Sequence, residues 1–116
     1  MSATPSQFAD ADPVRVDCEH YTLEYENEWV RVLRIRFGPH ERSMMHRHPP
    51  SVVVILTDCD FRFGLPGGKQ QAMLGRAGQV VCFEEAFEHL PENLSAQPFE
   101  AVIVELKERE GLKVES

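Results

Sequence analysis

The residues of this chain best suited to chemistry are His46 and His48, two positions apart in Met44-Met45-His46-Arg47-His48, and His89 far downstream. In an extended strand, side chains two apart share a face and their Cα atoms lie about 6.5 Å apart, so two imidazoles can reach one ion. On that reading Met44, His46 and His48 point one way, towards an interior, while Met45 and Arg47 point the other. Imidazole is the commonest protein ligand for divalent zinc, iron, nickel and copper. A lone His-x-His pair is more often an ordinary surface feature, so its meaning depends on what the rest of the chain builds around it.

What must position these residues is a set of short strands. Val14, Val16 and Cys18 alternate with Arg15 and Asp17, the period of a half-buried strand, and Tyr21, Leu23 and Tyr25 alternate again. From Trp29 to Phe37 the alternation places Trp29, Arg31, Leu33, Ile35 and Phe37 on one face and Val30, Val32, Arg34 and Arg36 on the other, until Gly38-Pro39 ends it. Val52 to Leu56 reads as a strand buried on both faces, and Phe61 to Phe63 as a further strand. Leu65-Pro66-Gly67-Gly68-Lys69 is a turn, and Gly75 to Gly78 is a glycine-punctuated corner. Strands are also expected to end at Met73-Leu74, to run over Val80 to Phe83, and to run from Phe99 to Leu106, where Ala101, Ile103 and Glu105 alternate against Val102, Val104 and Leu106. Short, evenly spaced strands with Gly/Pro corners and no long amphipathic helix predict an all-β sandwich or barrel.

The chain's 116 residues suit one domain with a single core. Residues 1–13 form an expected flexible leader, 14–107 the barrel and 108–116 a charged tail. The leader has neither a basic start nor an apolar run, so no signal peptide is expected. The longest apolar run is Val52 to Leu56, too short to span a membrane. A net charge of −7 lacks the basic face that nucleic-acid phosphates require. Cys18, Cys59 and Cys82 are odd in number and show no metal-binding spacing, which predicts reduced thiols and a cytoplasmic location.

The histidines and their flanks resemble the cupin superfamily, and within it the small single-domain cupins, some of which are associated with β-alanine degradation. The first cupin motif runs Gly, five residues, His-x-His, three or four residues, Glu, six residues, Gly. Here it falls on His40, His46 and His48, with His40 in place of the opening glycine, Val52 or Val53 in place of the glutamate, and Cys59 or Asp60 in place of the closing glycine. The second motif falls on Gly78, Glu84, Ala86, His89 and Asn93, with spacing kept but its proline and inner glycine replaced. The resemblance covers about Val30 to Leu106. It implies a jelly-roll barrel (a double-stranded β-helix) with His46, His48 and His89 as metal ligands inside.

A typical cupin adds a carboxylate to three histidines, and no acid sits at that spacing here. Three neutral imidazoles leave an ion its full charge and open positions, the arrangement of a Lewis-acid or oxygen-activating site. The ion's identity stays open among iron, zinc, nickel, copper and manganese. Two functions follow: a metal-dependent oxygenase acting on a small organic substrate, or a non-catalytic module that binds or senses a small molecule in the same pocket. A degenerate barrel whose histidines only hydrogen-bond is the alternative to any metal site. The resemblance also implies a homodimer, with the early Val14-x-Val16 strand extended onto a twin subunit. His20 is expected at the surface, His40 in an exposed turn, Cys82 in the core, and Phe83 and Phe87 in the core or along a pocket.

Overall fold

In the computed structural model of the protein, residues 11–108 are described, so the expectations for residues 1–10 and 109–116 fall outside the described residues. One helical turn, α1 (Pro13–Val16), precedes strands β1 (Tyr21–Glu26), β2 (Val30–Phe37), β3 (His46–His48), β4 (Ser51–Ile55) and β5 (Cys59–Gly64). A 3₁₀ turn at Pro66–Gly68 leads to β6 (Gln70–Gly75), β7 (Val80–Phe83), β8 (Phe87–Asn93) and β9 (Phe99–Leu106). The strands form a five-stranded sheet in the order β1-β2-β9-β4-β7 and a four-stranded sheet in the order β3-β8-β5-β6, with every pairing antiparallel. This is the expected all-β jelly roll.

Side-chain alternation decides which face closes on the core. Leu33, Ile35 and Phe37 of β2, Val53 and Ile55 of β4, Phe61 of β5 and Phe99, Ala101 and Ile103 of β9 are all buried in one cluster. Burying each of the large side chains stabilises the fold by about 1.5–3 kcal/mol. The β2–β9 ladder is continuous from Val30↔Leu106 to Phe37↔Phe99, so the inward residues of both strands stay in phase over their full length. Arg34 and Arg36 fall on the outer face and reach Glu100, with Arg34 also paired to Glu24.

Three corners need special backbone. Gly67 and Gly78 adopt φ of 84° and 91°, which only glycine occupies without steric cost. Gly78 N–H also donates to Ile55 carbonyl at 2.6 Å, closing the corner between β6 and β7. His40, which stands where the cupin motif has glycine, adopts the left-handed conformation with φ 61° and is exposed.

The Val14-Val16 segment is not a strand. Asp12 caps a helical turn by accepting from Val14 N–H at 3.0 Å, and Pro13 occupies the first position. Proline has no N–H to lose there, and its fixed φ suits the turn, so the Asp-Pro start signal outweighs the two-residue alternation. The turn packs against β1 and β3 of its own chain, which removes the strand expected to pair with a twin subunit.

Candidate metal centre

Antiparallel register brings the three histidines together. In the β3–β8 pair His46 lies directly opposite His89, and His48 follows two residues on along the same face. All three are buried, with exposures of 0% for His46, 1% for His48 and 6% for His89. One ring nitrogen from each lies within 4.8 Å of the others, a group that could hold a metal ion. Met44, expected on this face, precedes the strand and is exposed.

Neighbours fix which nitrogen each ring presents. His46 Nδ1 lies 2.7 Å from Met44 carbonyl, which can only accept, so Nδ1 carries the proton and Nε2 keeps its lone pair. His48 Nδ1 lies 2.7 Å from Glu105 Oε2, and the Arg31 Nε–H donates to Glu105 Oε1 at 3.2 Å. With a guanidinium on its far oxygen, the carboxylate is the acceptor, and His48 too is left with Nε2 free. Arg31 is in turn held by both Asp12 oxygens at 2.8 Å. His89 Nε2 sits 3.1 Å from His46 Nε2, while its Nδ1 is buried with no hydrogen-bond partner among the described residues. Rings held by a carbonyl and a carboxylate through Nδ1, with Nε2 turned inward, match the outer partners that metal-bound histidines use. The residues therefore fit a divalent ion.

The electrostatics agree. Burial, then the neighbouring His48, push the His46 pKa down to about 3. Burial pushes His89 well below the ordinary imidazole range, with His48 and His46 adding to the effect. Both rings are neutral at physiological pH, the form a metal requires.

Glu105 is the partner of the histidine cluster that the motif spacing did not reveal. It is 3% exposed on β9, and its register partners are Arg31 of β2 and Ser51 of β4. Its signal was its phase: Glu105 follows Ala101 and Ile103 on the inward face, just as Arg31 precedes Leu33 and Ile35. At the motif's glutamate position, Val53 is the inward residue and lines a cavity together with His48 and His89. Asn93, the last residue of the second motif, is structural: its amide donates to Gly38 and Gln97 carbonyls and accepts from Ser95 N–H. Phe83 and Phe87 line the same cavity. Cys82, expected in the core, faces outward from edge strand β7 and is exposed.

His20, expected at the surface, is 6% exposed. Its Nδ1 contacts Asp17 Oδ2 at 2.8 Å, its Nε2 contacts Glu41 Oε1 at 3.0 Å, and its ring stacks on Phe37 at 4.2 Å. Asp17, Glu19 and His20 form a second group with metal-ligating atoms. Both nitrogens of His20, however, are already engaged by carboxylates. Burial alone would lower its pKa, but its hydrogen bonds to the Asp17 and Glu41 carboxylates outweigh it and raise the value. This histidine is built to carry a proton.

A cupin domain protein from Bordetella pertussis Tohama I is 30% identical, with a TM-score of 0.70 over 76% of this chain and 92% of that one. This chain belongs to the cupin superfamily. An RmlC-like cupin with a double-stranded β-helix fold from Methanocaldococcus jannaschii matches at 17% identity and TM-score 0.59, covering 78% of this chain and 83% of that one. An oxalate oxidase shares the fold at 18% identity and TM-score 0.51, covering 65% of this chain and 40% of that one. No family model matches the sequence. No curated protein matches it either.

Proposed function

We propose that His46, His48 and His89 hold one divalent transition-metal ion inside the barrel, and that the protein uses it to bind and oxidise a small organic molecule. The observation that carries this reading is the paired fixing of His46 and His48 through Nδ1, which leaves both Nε2 lone pairs beside His89. Iron, zinc, nickel, copper and manganese all suit such a nitrogen set. When bound, the ion supplies Lewis acidity and, if iron, redox exchange with dioxygen.

The chain's own residues narrow the chemistry. Of the residues lining the cavity beside His48 and His89, none but these two histidines offers a group that could act as a base at neutral pH. Tyr21 is held as the phenol by burial, with the charges of Asp17 and Glu105 adding to it. Burial likewise keeps Cys59 as the thiol. Hydrolysis and isomerisation want a positioned general base, so oxidation at the ion fits better. The same lack of a base favours a second reading, a module that binds its ligand without turnover.

Metal analysis of protein purified without chelator tests the site. About one equivalent is expected, falling to background in His48→Ala and His89→Ala; unchanged content in both variants removes the proposal. Substrate-dependent oxygen uptake by the iron-loaded protein separates enzyme from binding module. Exposed Leu23, Tyr25 and Trp29 along and beside edge strand β1 support a homodimer, which a single-chain mass by light scattering at micromolar concentration would remove. Among the described residues no helix is long and apolar enough to cross a membrane. Three free thiols support a cytoplasmic setting.

A further inference from the structure

The cavity that opens beside His48 and His89 has a composition of its own. Its wall is made of Phe61, Phe63, Met73, Phe83, Phe87 and aliphatic neighbours, and no Lys, Arg, Asp or Glu lines it. The Arg31 guanidinium, which reaches His48 only through Glu105, is paired with Asp12 and Glu105. Phe63 and Phe87 pack against His89 with ring centroids 4.4 and 5.0 Å away, and Phe87 also lies 5.2 Å from His48. One end is therefore imidazole, and the rest is apolar but for the Tyr21 phenol and the Cys59 thiol. The free space is about 60 Å³, and at about 10–15 Å³ per water it accommodates roughly four to six non-hydrogen atoms.

We infer that this cavity takes an uncharged organic molecule of roughly four to six non-hydrogen atoms, with a carbon body among the phenylalanines and one polar atom at the His48–His89 end. The inference rests on the metal reading only for what that polar atom meets. In the metal-free protein a carboxylate entering this cavity would shed its water with no cation to meet, and with only the Tyr21 phenol and Cys59 thiol as donors beside the imidazoles, a cost of several kcal/mol. A ketone, thiol or aldehyde carbon chain sheds little and gains apolar contact. The selectivity is thus against charge, in a barrel whose fold is shared with an oxalate oxidase.

The test compares two molecules of nearly one shape, 3-methylbutan-2-one and isobutyrate, which differ by a methyl group against an anionic oxygen. Met73 lines the cavity, whereas Met44 and Met45 are exposed, so methyl-¹³C methionine resonances report entry with internal controls. A Met73→Leu sample assigns the signal. The ketone should shift Met73, and not Met44 or Met45, at concentrations at least about tenfold below any effect of isobutyrate, a difference of about 1.4 kcal/mol. The titration is run on metal-free protein, and a parallel sample with one equivalent of zinc reports metal uptake. Equal or reversed potency of the acid in the metal-free protein, or no movement of Met73 with the ketone there, overturns the inference. Failure of the protein to take up zinc would instead sink the metal reading, and the ketone-to-acid order would still decide this one.

Discussion

Two buried histidine clusters occupy this barrel and are tuned in opposite directions. In the first, His46, His48 and His89 face one another, and the carboxylate hydrogen-bonded to them among the described residues, Glu105, lies behind His48. In the second, His20 lies between Asp17 and Glu41, one carboxylate on each nitrogen. All four rings are buried, though Glu41 in the second cluster is exposed. The decisive difference is where negative charge sits. Carboxylates on both nitrogens trap a proton, whereas a carboxylate or carbonyl behind only Nδ1 orients the ring and leaves Nε2 to ligate. The clusters approach each other at Ser43, whose hydroxyl donates to Asp17 and lies 3.4 Å from His46 Nδ1.

The largest expected effect comes from giving the first cluster a carboxylate of its own. Val53→Glu places an acid on the cavity wall beside His48 and His89. With metal it gains a charged ligand; without metal it is buried unpaired and should destabilise the fold by several kcal/mol or titrate at raised pH. Melting temperature with and without zinc should therefore diverge strongly in Val53→Glu. In Val52→Glu, where Val52 faces Cys82 across the outer part of the sheet, it should not. Equal behaviour of the two variants would mean the ion is not where the histidines place it.

Next in size is Glu105→Gln. The amide still occupies the space, but it no longer holds His48 Nδ1–H with a charge or balances Arg31. Metal affinity should fall about 10–100-fold, measured by competition with a chromophoric chelator. An affinity within threefold of the parent would show that Glu105 serves only Arg31.

The sequence revealed these features unevenly, for physical reasons. Strand β9 was expected at Phe99 to Leu106 and is found there, because its alternation is uninterrupted. Strand β8 was harder to see: Pro91 lies within it, and Glu88 and Glu92 break its apolar character. The proline is tolerated because its carbonyl accepts from Ser43 N–H beyond the end of β3, where no ladder donor is required. The three histidines could be found because strand geometry and motif spacing both mark them. Glu105 was hidden because its partners, His48 and Arg31, come from distant strands, and an acid in an inward phase reads as an exception until the register is known. His20 reads as a surface residue for the same reason, since Glu41 reaches it across 21 residues. Local pattern reports faces, whereas pairing of charges is a property of the fold.

pH separates the clusters directly. His46 has its pKa lowered to about 3, so as pH falls below about 6.5 the unfolded chain takes up a proton that the folded site refuses. Stability is lost with falling pH, at up to about 1.4 kcal/mol per pH unit for that group. His20 has a raised pKa, so its contribution is complete below about 6.5 and is lost as pH rises through the folded value. His20→Gln should lower stability by about 2 kcal/mol at pH 6, and by less at pH 9, in urea unfolding. It should leave metal content unchanged. A deficit that grows with pH would reverse the assignment of charge.

The smallest effect tests whether the clusters act independently. Ser43→Ala removes the hydroxyl that Asp17 receives and that lies near His46. Asp17 keeps His20, and the Met44 carbonyl, at 2.7 Å, remains the closer partner of His46 Nδ1. Loss of one buried donor from the carboxylate should cost about 1 kcal/mol. Because His46 retains its tautomer and orientation, metal affinity should change by less than about threefold, under 0.7 kcal/mol. Calorimetric metal titration of Ser43→Ala at pH 6 and pH 8 supplies both comparisons. A tenfold loss of affinity, or one that appears at only one of the two pH values, would mean that Asp17 and Ser43 transmit the charge on His20 to the ligand ring. The two histidine clusters would then be a single coupled unit. Small, pH-independent changes would show that the carbonyl of Met44 insulates the neutral cluster from the charged one.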